Sequence, residues 1–187
     1  MINFDKKKNT GFTLVETLVA LFVFSVTVLA VMMALTRGIS STIYAKDKVV
    51  AEYLSQEGIE YFRNMRDTFQ LYTDDKNDGW LQFIKKLEEA HCEENGCYFD
   101  NNEDNFFGQL TTDIKVLPCD KNCPNFLYDA QLGKYNYNKG SESTFSRRML
   151  LTIIDDNNVK ITSETTYRSG SNTNTVSLSE NLSNWIE

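Results

Sequence analysis

Residues 12–35 read FTLVETLVALFVFSVTVLAVMMAL, and the only charged side chain in that run is Glu16. A helix of this length rises about 36 Å at 1.5 Å per residue, enough to cross the hydrocarbon of a bilayer. No ordinary soluble core has room for it. The position of the charge is the second constraint. An unpaired carboxylate at that depth costs about 3 kcal/mol or more, and a plain anchor has no use for one.

The run is preceded by Gly11 and by Lys6, Lys7 and Lys8. It is too long for the apolar region of a cleavable secretory signal, and no small-x-small cleavage site follows before Arg37. Lysines ahead of the run place the amino terminus in the cytoplasm and the rest of the chain outside by the positive-inside rule. The formal net charge is −7, and removing residues 1–11, with three Lys and one Asp, takes it to −9. Such an acidic chain lacks the clustered Lys and Arg of a general nucleic-acid surface, so no nucleic acid is expected as a partner.

The string Gly11-Phe12-Thr13-Leu14-Val15-Glu16, after a basic leader and before an apolar helix, closely resembles the processing and methylation site of type IV prepilins and pseudopilins. The resemblance implies cleavage after Gly11 by a prepilin peptidase, N-methylation of Phe12, and retention of the helix on the mature chain. It also implies assembly with other pilin or pseudopilin subunits at an inner-membrane platform, from a starting state in membrane lipid. Glu16 then acquires a role in assembly: its carboxylate pairs with the Phe12 amine of a neighbour, and a paired charge is tolerable in hydrocarbon where a lone one is not. Many family members carry a proline midway along this helix; here none occurs before Pro118.

Four regions follow. Residues 1–11 form the leader and 12–36 the transmembrane or filament-core helix, in which Ser25 and Thr27 can bond back to the chain. Residues 37–70 continue that helix amphipathically to about Thr68, after a weak point at Gly38. Along it Ile39, Ile43, Val50, Leu54, Tyr61 and Met65 recur as pairs four apart every eleven residues, a period that keeps them on one nearly straight stripe. A core face against the chain's own sheet is the expected use of that stripe, ahead of a subunit interface. The segment AEYLSQEGIE at 51–60 also resembles the region after the membrane helix of small bacterial minor pilins.

Residues 71–187 form the extracytoplasmic globular region. DDKNDG at 74–79 invites a calcium loop, but the twelve-residue template fixed by Gly79 puts Lys76 and Lys85 where oxygen ligands are needed; a turn is expected, followed by a short helix with Trp80, Leu81, Phe83, Ile84 and Leu87. DNNEDN at 100–105 reads as a second polar loop. Cys92, Cys97, Cys119 and Cys123 would suggest zinc in a cytosolic protein, yet outside the membrane two disulfides are expected and no metal. Four cysteines allow three connectivities, of which we favour the local pairs Cys92 with Cys97 and Cys119 with Cys123. The stretch between Cys92 and Asn138 shows little periodicity and reads as irregular, stapled by those bridges. His91, the only histidine, is expected to be exposed and without a role.

Residues 145–154, 159–168 and 173–182 are runs rich in Thr and β-branched side chains, separated by DDNN and SGSN turns. A three-stranded antiparallel meander is expected over about 145–182. Its inward row would be Met149, Leu151 and Ile153, then Val159, Ile161 and Tyr167, then Val176 and Leu178, closed by Asn184-Trp185-Ile186. This tail, with VALFVF in the first helix, resembles minor pilins and pseudopilins of the V and I types. The fold class is therefore α+β and type IV pilin-like: a long helix packed on a carboxy-terminal meander.

No phosphate-cradling glycine motif, nucleophile elbow or second histidine is present, so neither an enzyme nor a cofactor is expected. The leading reading is a minor pilin or pseudopilin, anchored by one pass with its amino terminus in the cytoplasm and then carried into a cell-surface filament, serving a pilus, type II secretion or uptake system. The alternatives are an adhesive or substrate-binding subunit that uses the loops between Asp74 and Asn138, and a membrane-anchored ectodomain that does not polymerise.

Overall fold

The computed structural model describes residues 11–73, 76–100 and 115–185. Helix α1 (Leu14–Tyr72) is followed by α2 (Lys76–Glu89) and seven strands: β1 (Cys97–Phe99), β2 (Val116–Pro118), β3 (Asn125–Asp129), β4 (Lys134–Asn136), β5 (Ser141–Asp155), β6 (Asn158–Ser169) and β7 (Asn172–Ser183). The chain divides into two compact units, Met1–Ile43 and Tyr44–Glu187, which we describe separately.

In the first unit α1 stands alone. Its hydroxyls are satisfied within the helix: Ser25 Oγ donates to the Leu21 carbonyl at 2.7 Å and Thr27 Oγ1 to those of Phe24 and Val23. Ile39 and Ile43, expected on the core stripe, are 62% and 51% exposed. The eleven-residue period reports a helix face, and here no sheet lies among the described residues of that unit to cover it.

The second unit is α+β. Strands β5, β6 and β7 form the expected antiparallel meander, with Phe145 opposite Tyr167, Met149 opposite Ser163, and Thr165 opposite Val176. On its other side β5 pairs with β3 near Ser146 and with β1 at Met149, and these carry β4 and β2 outward. The stretch read as irregular is therefore partly strand. Its strands are three to five residues long, too short to leave a period of two, and pairing defines them.

The tyrosine-to-tyrosine part of α1, from Tyr44 to Tyr72, lies on the sheet through a row of small residues. A Cβ added to Gly58 would stand 2.6 Å from Ser163 Oγ and 2.7 Å from Met149 Sδ, so only a glycine permits this approach of helix backbone to sheet. Ser55 Oγ donates to Thr165 Oγ1 at 2.7 Å one turn earlier. Around this seam Phe62, Met65, Phe83, Leu87, Phe99, Met149 and Ile161 form the main core, and Ala51, Leu54, Phe126, Phe145 and Tyr167 a second cluster. Helix α2 buries Trp80, Phe83 and Leu87 and leaves Leu81 exposed. Of the 74–79 turn, Asp74 and Asp75 lie outside the described residues, while residues 76–79 already belong to α2 rather than to a turn. Of the 100–105 loop, only Asp100 is described.

The inward row of the meander differs from expectation at its ends. Ile153 is 46% exposed and Leu178 37%, because the β5–β6 register shifts between Ile153 and Asp155 and because β7 is an edge. Phe145, Arg147, Ser163, Thr165 and Leu182 are buried instead. Trp185 does not close the core; half exposed, it donates its indole N–H to Asp67, and Ile186 lies outside the described residues.

Disulfides join Cys92 to Cys97 and Cys119 to Cys123. The first, fully buried, ties the end of α2 to β1, where the Leu151 amide also donates to the Cys92 carbonyl. The second closes a tight loop between β2 and β3.

Candidate functional site

Helix α1 begins at a capped terminus. The Thr13 carbonyl accepts from the amides of Glu16 and Thr17 at 3.1 and 3.2 Å, and Thr13 Oγ1 accepts a second, longer contact from the Glu16 amide at 3.3 Å. Thr13 is thus the N-cap and Glu16 the third helical residue, the order of a capping box. The threonine half of that box is formed. The glutamate half is not, and among the described residues the Glu16 carboxylate has no hydrogen-bond or ion-pair partner. A carboxylate in the first turn faces the positive end of the helix dipole. The sequence reading missed Thr13, although the T-x-x-E spacing was a usable signal.

Gly11, Phe12 and Thr13 precede the helix as exposed, non-helical chain, and among the described residues nothing beyond its chain neighbours lies within 4 Å of where a Gly11 side chain would begin. The Gly11–Phe12 peptide is therefore open to an enzyme. Phe12 is 78% exposed, and in the uncut chain its nitrogen is a peptide amide, so a pair of its amine with Glu16 does not exist in this form of the chain. Every residue described from 11 to 46 is exposed, and the helix contains a span apolar enough to cross a membrane, of mean hydropathy 2.8. An exposed apolar surface with a single anionic group near its start is chemically suited to lipid or to other helices.

The remaining candidates lie elsewhere. The four cysteines are consumed in bridges. His91 is exposed, 3.7 Å from a Glu94 carboxylate oxygen, and occupies a left-handed conformation with φ of 53° near the start of the turn after α2.

Sequence reasoning also missed Arg147, which is 1% exposed. Its Nη1 donates at 2.9 Å to the Leu54 carbonyl and to Glu57 Oε2, and its guanidinium lies 4.1 Å from the Phe99 ring centre and 5.1 Å from that of Phe126. Burial near it pushes the Tyr61 hydroxyl up to about 12, the positive Arg147 opposing in part, and raises that of Tyr137 for the same reason. This constellation joins α1 to the sheet.

Residues 6–34 match the family model of the prokaryotic N-terminal methylation motif, the prepilin-type cleavage and methylation site of type IV pilins and pseudopilins. No curated protein and no solved structure matches the chain. With the long helix, the carboxy-terminal sheet and the two disulfides, the fold is α+β and type IV pilin-like.

Proposed function

We propose that this chain is a structural subunit, a minor pilin or pseudopilin, of a type IV pilus-like filament. The observation that carries the reading is the exposed apolar helix that opens with an exposed Gly11–Phe12 bond and a Glu16 with no partner among the described residues. Cleavage after Gly11 creates a new amine on Phe12, and methylation leaves it cationic. Before assembly the helix lies in bilayer lipid with the leader in the cytoplasm, and an inner-membrane platform lifts it among other subunits. Apolar side chains gain little by exchanging lipid for neighbouring helices, but Glu16 gains a cation. The subunit acts by occupying its place, not by catalysis.

Mass spectrometry of the chain from cells with prepilin peptidase tests this. The mature species should lack residues 1–11, carry one methyl group on Phe12, and co-purify with filaments. Gly11→Asp should accumulate as unmethylated precursor outside filaments, whereas Glu16→Ala should be cut yet poorly incorporated. Normal processing and assembly of Gly11→Asp would refute the proposal.

A further inference from the structure

We propose that strand β7 is a docking edge which receives an extended, basic segment of a different protein by strand addition. β7 pairs with β6 over twelve consecutive residues, Asn172 to Ser183, with no bulge, and among the described residues no other strand lies beside it. The Asn184 amide donates to the Asn157 carbonyl, one step beyond that register. Alternation along an antiparallel ladder then turns the N–H and C=O groups of Thr173, Thr175, Ser177, Ser179 and Asn181 away from β6.

Sheet edges are ordinarily blunted by shortness, Pro, Lys or a bulge. The other two edges of this sheet follow that rule: β2 and β4 have three residues each, the first with Pro118 and the second with Lys134. β7 has none of these devices. Its one charged side chain, Glu180, is already paired with Arg63. The outward-facing row is small and hydroxylic, while Val176 and the 37% exposed Leu178 give the other face an apolar strip. An extended chain with alternating small polar and apolar residues fits both rows, and main-chain hydrogen bonds supply its affinity.

Charge decides the occupant. Glu16 and Arg37 cancel, so the net −9 that remains without the leader is carried by the unit from Tyr44 onward, the unit that bears β7. A second copy is repelled, and a basic segment is attracted.

The test uses the full-length chain in the cells that make it, with a photo-crosslinking residue at Ser179. The expected adduct joins Ser179 to a Lys- or Arg-containing segment of another protein, and its yield falls at least tenfold in Ser177→Pro, which removes one outward N–H, but not in Ser177→Val, which keeps it. Thr175→Pro serves the same purpose if Ser177→Pro loses its disulfides or its protease resistance. Raising the ionic strength of isolated membranes should lower the yield further. An adduct with a second copy, equal yield in the Pro and Val variants, or no adduct at all would overturn the proposal. Processing at Gly11, read by mass in the same samples, reports separately on the filament reading.

Discussion

Arg147 offers the sharpest test of how the helix is held to the sheet. Replacing it with Met removes a buried charge at nearly constant length. The loss includes the ion pair with Glu57, whose 37% exposed side chain water can re-solvate, and two cation–π contacts, together about 1–2 kcal/mol in a desolvated site. Against that stand the desolvation of the guanidinium and its Nε, which is buried without a partner among the described residues and costs about 1–3 kcal/mol. The Leu54 carbonyl lies within α1, where the helical bond from four residues on remains available, so Met leaves no orphaned acceptor there. Arg147→Met should therefore change stability by no more than about 1 kcal/mol. Breaking the pair from the other side is different. Glu57→Ala leaves the guanidinium buried and uncompensated, a change that costs about 3–5 kcal/mol when both partners are buried; the Glu57 side chain is 37% exposed, so water offsets part and about 2 kcal/mol is expected. Arg147→Ala adds a cavity and should cost about 4 kcal/mol. Urea unfolding of the full-length protein in detergent, followed through buried Trp80, reads these values; at a slope of about 2 kcal/mol/M, Glu57→Ala moves the midpoint by roughly 1 M. If Arg147→Met falls as far as Arg147→Ala, the charge itself holds the seam and the reasoning is wrong.

Three further outcomes follow from the same geometry. Gly58→Val should destabilise by about 2–3 kcal/mol despite its better helix propensity, because its Cβ meets Ser163 and Met149; an unchanged urea midpoint would show that the seam relaxes freely. Limited dithiothreitol followed by alkylation and mass spectrometry should label Cys119 and Cys123 before Cys92 and Cys97, since Cys123 is half-buried and the other bridge is wholly buried; labelling of Cys92 first would contradict it. The Gln131 amide, then that of Leu132, with Lys139 nearby, holds the Asp129 carboxyl below its usual range. Its stabilising contribution is thus present above the unfolded value near 4 and is lost as pH falls through the lower folded one, so Asp129→Asn should flatten the acid limb of a urea-midpoint series from pH 5 to 2.

What was legible in the sequence was what repeats or what stands out chemically. The apolar run, the meander and the lower half of the α1 stripe repeat, and Leu54, Tyr61 and Met65 are buried as expected. The helix–sheet seam was not legible because it is made of Ser55, Gly58, Ser163 and Thr165, residues that hydropathy counts as neutral or polar. Alternation puts Arg147 on the same row as Met149 and Leu151, but its charge argues for solvent, and it takes the approach of α1, with the Leu54 carbonyl and Glu57, to bury it. At the candidate site Glu16 stood out as the one charge in an apolar run and Gly11 through the resemblance of its flanking string to a prepilin processing site, while the threonine cap was hidden in a spacing that needed the helix start to be known.

These two halves of the chain use apolar side chains in opposite ways, and the difference bears on assembly. From Tyr44 onward they are consumed in a core. From Phe12 to Leu35 they remain exposed, and either lipid or neighbouring helices can cover them with little difference in free energy. Under the proposed function, therefore, hydropathy keeps the helix out of water but does not choose its final state. Glu16 chooses. An unpaired carboxylate in hydrocarbon costs about 3 kcal/mol, roughly a hundredfold in an equilibrium, and only a partner that brings a cation to the level of the first helical turn removes that cost. A capped, accessible amino terminus on the adjoining subunit is such a partner, and it also sets the axial position at which two helices can stop.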